Sequence, residues 1–205
     1  MAEPEKYRTL LIGLHAFGSI NYYRTLIRYD KLEFEIYEHF RKGSSLARYQ
    51  VAGAGGRLLL AVPLLHEARG RTPFSGLRIS NRDRWQLVHW RTLISAYGRS
   101  PWFAHYETEL RRLYTEPFER LMDWNRAAFD LMTKWLNVSW TISETRSYLP
   151  QYPDSEVDDM RELQMPAREA NLFDGDVLRY PQVFEDRTGF IPGLSVLDLL
   201  FSEGN

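Results

Sequence analysis

The sequence predicts a mixed α+β fold: one domain over residues 1–205, with a mixed sheet from an N-terminal strand-helix-strand unit and a hairpin, a helical half of three helices, and a short docked C-terminal helix. Three observations carry this. Apolar residues form short runs or alternate up to about residue 80, and they recur at three-and-four spacing from about 84 to 136. They return as a dense apolar stretch after residue 180, too greasy for a free tail.

"RTLLIGL" (8–14) is an apolar run of strand length, and "SINYYRTLIRYD" (19–30) follows with a serine cap and helical spacing at Ile20, Tyr23, Leu26 and Ile27. "KLEFEIYEH" then alternates, Leu32, Phe34 and Ile36 against Glu33, Glu35 and Tyr37, the pattern of a strand with one wet face. Strand, helix and strand in so short a span predict a right-handed parallel crossover. "LARYQV" and "RLLLAVPL" flank "AGAGG". A dinucleotide-binding glycine loop must open a helix, and here a β-rich run follows, so the glycines predict a hairpin turn. "HEARGRTP" (66–73) reads as an arginine-rich loop and "FSGLRIS" (74–80) as a further strand.

Ser80 and Asp83 have capping-box spacing for a helix ending near Gly98, which Pro101 prevents from continuing. "WFAHYETELRRLYT" predicts a second helix. Pro117, suited to a first helical position, opens a third that carries Leu121, Met122, Ala128, Phe129, Met132, Trp135 and Leu136 on one side. "VSWTISET" alternates like a returning strand. Residues 146–179 hold prolines, acids and little periodicity, and so long a loop is usually a functional one. Ser195 and Asp198 repeat the capping-box spacing, and a helix of so few turns must dock on the domain to exist.

Composition narrows the function classes. There are no cysteines, which removes thiol catalysis, disulfides and thiolate metal sites, and no metal site or cofactor is assigned. A net charge of −1 argues against nucleic acid or an anionic membrane as partner. The N-terminus lacks a signal-peptide or membrane-spanning pattern, so a cytoplasmic protein is expected and the sequon at Asn137 goes unused. Arginines crowd the middle of the chain (Arg57, Arg69, Arg71, Arg78, Arg82, Arg84, Arg91, Arg99), enough for a local anion site. No hydrolase elbow, P-loop, kinase set or zincin motif occurs, and "DGD" (174–176) reads as a turn.

Two clusters remain. On the helix from Trp85, Leu87, Trp90, Leu93, Ile94 and Tyr97 fill one arc, and His89 stands at its margin, where an imidazole could serve as acid, base or donor. In "YEHFRKGSSLARY" (37–49), Glu38, His39, Lys42, Ser44, Ser45 and Arg48 fall between two predicted strands, and a lysine and an arginine there could hold a phosphate or carboxylate.

"EHFRKGSSLARYQV", "GRLLLAVPL", "GLRISNRDRWQLVHWRTLISAYGRSPWFAHY", "WNRAAFDLMTKWLNV" and "QVFEDRTGFIPGLSVLDLLF" resemble, in this order, the WbqC-like family and its Bacteroidetes-type members. The terminal motif is the most specific piece. The family pattern Glu-x-x-x-Lys-x-Ser-x-x-Asn-Arg maps onto Glu38, Lys42, Ser44 and Arg48, with Ala47 at the asparagine position, and His15-Ala16 replaces a Gln-Pro pair. Its Trp-x-x-x-His run maps onto Trp85 and His89, with Tyr97 beyond.

The resemblance implies surface-polysaccharide or O-antigen biosynthesis and a transferase that moves glycine or another amino acid onto an amino sugar. His89 and Glu38 would then be catalytic. Lys42, Ser44, Arg48, Trp85, Tyr97 and His15 would contact a small-molecule substrate, a nucleotide-sugar or an amino acid donor. Two alternatives stay open: a non-catalytic partner module, whose apolar terminal helix could seal a homodimer, and an adenylylating nucleotide-binding domain.

Overall fold

The computed structural model describes residues 8–65, 72–152, 157–173 and 175–205. His66, Glu67, Arg69 and Arg71 of the predicted arginine-rich loop, and Asp174 of the predicted turn, lie outside them.

The N-terminal run forms β1 (Thr9–Ile12), α1 (Ile20–Leu26) and β2 (Lys31–Phe34), with β1 and β2 parallel and in register from Thr9–Lys31 to Ile12–Phe34. Ser19 caps α1 by accepting from the Tyr22 amide at 3.0 Å, as its position predicts. The "ARYQV" and "RLLLA" runs form the hairpin β3 (Arg48–Gly53) and β4 (Gly56–Ala61), and Gly56 turns it at φ 112°, where a side chain would be strained. Three helices follow: α2 (Trp85–Tyr97), α3 (Phe103–Thr115) and α4 (Leu121–Trp135). β5 (Thr141–Glu144) returns to the sheet, and the chain closes with β6 (Val157–Asp159), α5 (Pro166–Leu172), α6 (Glu185–Thr188) and α7 (Val196–Glu203).

The sheet runs β5-β2-β1-β6 with every pair parallel, so β1 is central and its two neighbours come from opposite ends of the chain. The expectation of one mixed sheet is corrected here: the hairpin forms its own two-stranded sheet. The Leu194–Val196 strap separates the two, with hydrogen bonds to Gly18 and Ile20 on one side and from the Ser195 amide to the Gln50 carbonyl on the other.

Further corrections concern boundaries. Residues 77–80 run extended between the chain at 63–65 and that at 119–121, so "FSGLRIS" is a 3-10 turn and two isolated bridges rather than a strand. For the same reason Ser80 caps nothing and α2 begins only at Trp85, while Pro117 precedes α4 by four residues instead of opening it. The predicted loop 146–179 contains β6 and α5. Glu35, expected on a wet face, is buried, because Arg161 pairs with it (3.3 Å) just beyond β6.

The core is continuous and aromatic. Trp124 meets Trp85 edge-on at 5.1 Å, Phe129 does the same to Phe34 across α4 and β2, and Phe201 of α7 packs against Tyr97 and Phe103 at 5.1 Å each. Among the described residues, no helix is long and apolar enough to cross a membrane.

Candidate functional site

The chain leaves β1 toward one neighbour and β6 lies on its other side, so the loops after β1 and β6 diverge. In open parallel sheets a crevice at the carboxyl ends of the strands, where the order reverses, is the usual binding place. A cleft of about 280 Å³ stands there, and Phe17, Ser19, Arg48, Tyr49, Glu169 and Phe173 line it. Phe17 and Ser19 come from the loop after β1, Arg48 and Tyr49 from the hairpin, and Glu169 and Phe173 from α5 beyond β6.

Two of these groups are a carboxyl and a guanidinium. Glu169 is buried and accepts a hydrogen bond from the Ser19 hydroxyl, which is also the α1 cap. Burial pushes its carboxyl up to about 7, against the opposing pull of that hydrogen bond. Arg48 lines the same cleft; it makes no ion pair with any described residue, and its Nε is buried without a partner. A carboxylate that exchanges its proton near neutrality and an uncommitted guanidinium thus face one space. Arg57 braces the rim through the Gln50 side chain and the Pro192 carbonyl, 2.6 Å each.

Tyr49 contributes its ring rather than its hydroxyl. Its oxygen lies 2.7 Å from Tyr114 Oη and 3.2 Å from His89 Nδ1, and His89 Nε2 lies 3.2 Å from the Ala61 carbonyl. A carbonyl only accepts, so Nε2 carries the hydrogen and Nδ1 accepts from Tyr49, which accepts in turn from Tyr114.

A model of the WbqC-like protein family matches residues 16–171. This chain belongs to that family. No curated protein and no solved structure matches it. The matched stretch carries Ser19, Arg48, Tyr49 and Glu169 and ends before the terminal motif that marks the resemblance most specifically in the sequence.

The WbqC-like chain brings only part of the sequence-predicted set to the cleft. Arg48 lines it. Glu38 does not line it and has both oxygens engaged, by Arg41 at 2.8 Å and Gln164 at 2.6 Å. Ser44 and His15 are buried, at 1% exposure each, without hydrogen-bond partners for their side chains. Lys42 is exposed. Trp85, His89 and Tyr97 stand in the core and do not line the cleft. Trp85 donates to Asn81 at 3.1 Å, and Tyr97 donates to Asp198 at 2.5 Å while accepting from the Ala52 amide. Burial lowers His89 to about 4, partly opposed by the Ala61 contact.

Of the central arginines expected to build an anion site, Arg57 alone among the described residues reaches the cleft, and Arg78 pairs with Glu119. Sequence reasoning missed Ser19 as a site residue and Glu169 altogether. Glu169 sits in the aperiodic stretch 146–179, and only its pairing with Ser19 across the fold gives it meaning. No cluster of three metal-binding side chains occurs among the described residues.

Proposed function

We propose that the cleft beside β1 binds an anionic small molecule and that the protein is a transferase of surface-polysaccharide assembly, passing glycine or another amino acid to the amino group of a sugar. Arg48 holds the phosphate or carboxylate of the substrate, as a guanidinium without a competing carboxylate can. The sugar amine attacks the acyl carbon of an activated aminoacyl donor, an ester or thioester. The C–N bond forms as the acyl–oxygen or acyl–sulfur bond breaks, and the alcohol or thiol leaves. Ionised Glu169, kept aimed by Ser19, takes the amine's proton and can return it to the leaving group. His89 supports this from behind by fixing Tyr49 in the cleft wall, in place of the catalytic role its sequence position suggests. Membership of the WbqC-like family supports the biosynthetic setting. The observation that carries the chemistry is the approach of Glu169 and Arg48 to one cleft.

Calorimetric titration with nucleotide-sugars and with aminoacyl esters or thioesters, followed by a turnover assay on whichever pair binds, tests this. Arg48→Ala should weaken binding of the anionic ligand by about ten- to a hundredfold, the worth of a hydrogen bond to a charged group. Glu169→Gln should bind almost normally and lose turnover by roughly 10²- to 10⁴-fold. Turnover of the native chain should climb as pH rises through about 7, where Glu169 ionises. Wild-type binding by both variants, with turnover intact, would sink the proposal.

A further inference from the structure

Asn125 of α4 is fully buried, and its Nδ2 donates to the Leu14 carbonyl at 2.7 Å and to the Leu46 carbonyl at 2.8 Å. Both acceptors are carbonyls, so the amide cannot be turned round, and both its hydrogens are spent. Oδ1 is left buried with no donor. The two clasped carbonyls each have another orphan close by in the chain. His15 follows Leu14 and has neither ring nitrogen bonded, and Ser44, two residues before Leu46, has a buried hydroxyl with no partner. A Cβ built on Gly13 would lie 3.1 Å from Leu46 Cδ2 and 3.8 Å from His15 Nε2, so the imidazole and Leu46 share the space above Gly13.

The hydrogen-bonding character of the set is defined. Burial brings His15 down to about 3, so the ring is neutral and offers one hydrogen and one lone pair. It is held flat against Tyr22, ring centres 4.2 Å apart, and the Tyr22 hydroxyl is spent on the Gly13 carbonyl. Asn125 Oδ1 can only accept, and Ser44 can do either. An anion would meet the bare Asn125 oxygen and too few hydrogens. A cation would find no free counter-charge, because Glu35 is paired with Arg161 and Glu38 with Arg41. Orphaned buried groups of this kind call for a bonding partner.

From this geometry we infer an inner binding site at the end of β1, walled by His15, Ser44 and Asn125, that takes a small uncharged molecule or group carrying O–H or N–H hydrogens. The occupant donates to Asn125 Oδ1 and exchanges hydrogen bonds with His15 and Ser44. Ser44 adjoins Ser45, which lines the cleft, so the occupant is either a water molecule or the hydroxyl or amide end of a longer ligand seated in the cleft. The inference does not depend on the transferase reading, since it is tested on the ligand-free chain.

Two variants and one spectrum decide it. His15→Phe deletes both ring nitrogens while keeping a flat ring against Tyr22, and Ser44→Ala deletes only the hydroxyl. If the three groups share an occupant, each variant lowers the melting midpoint by a few degrees, about 2–4 °C for each lost bond in a chain of this size. The double variant then loses less than the sum, because the second loss removes a partner already gone. If the groups are truly unpaired, removing them relieves a penalty and the midpoint rises. In the native chain, NMR should show magnetisation exchange between the His15 ring protons and a long-lived water. A saturable shift of those signals on adding acetamide identifies a site open to amide groups; water exchange without that shift identifies bound water alone. A raised midpoint in both variants, with neither spectral effect, overturns the inference.

Discussion

His89 has no nitrogen left for a substrate, and that commitment has a pH signature. Folded, it stays neutral to about 4, and His15 to about 3, whereas both take up a proton near 6.5 once unfolded. The unfolded chain therefore binds more protons below 6.5, and stability must fall as pH falls through that window, by up to about 1.4 kcal/mol per pH unit for each histidine. Glu169 acts in the opposite sense: its folded form keeps a proton to about 7, so its contribution falls as pH rises from 4.5 toward 7. Urea midpoints of the native chain and His89→Gln between about pH 6.5 and pH 4.5 separate these effects, and the variant should show the shallower acid loss. Equal slopes would mean that His89 is protonated in the folded protein. The marginal helix position of His89 was legible in its spacing; the tyrosine that fills its margin lies forty residues away and was not.

The elements differ in how much of themselves the sequence displays. The hairpin, α3 and α7 carry local signals, glycines at the turn, apolar spacing and a serine cap, so they are found near their predicted bounds. β6 carries none. Val157-Asp158-Asp159 has no alternation and two acids, and it is a strand only because β1 offers it an unpaired edge. The Ser195–Asp198 spacing is half right: Ser195 caps α7 through the Leu197 amide, but the Asp198 carboxylate turns inward to the hydroxyls of Tyr97 (2.5 Å) and Tyr180 (2.7 Å). Asp198→Ala would leave the hydroxyl hydrogens of two buried phenols without an acceptor, and thermal or urea unfolding should record a loss of about 3 kcal/mol. The end of α4 offers a gentler test. Asn137 sits at φ 50°, left-handed, where glycine is free and a β-branched residue is not. Asn137→Gly should leave the unfolding midpoint near that of the native chain and Asn137→Val should lower stability by about 1–2 kcal/mol.

At the scale of the whole molecule, α7 decides between a self-contained domain and one that uses its tail as an interface. Val196, Leu197, Leu200 and Phe201 are all at or below 2% exposure within the chain's own core, so their apolar surface is already spent. Removing residues 190–205 should therefore give aggregated or unfolded material in size-exclusion chromatography, and a soluble folded product would show the helix to be dispensable.

Because β1 stands between β2 and β6, the protein cannot finish its sheet while it is being made. A ribosome delivers β1, α1 and β2 well before β6, the α5 carboxylate and the strap that closes on Gly18. An early nascent chain can hold β1, α1 and β2 together, but with one side of the sheet still bare. The cleft therefore takes shape only after β6 and α5 have emerged, and a polypeptide cut before β6 would lack the wall that Glu169 supplies.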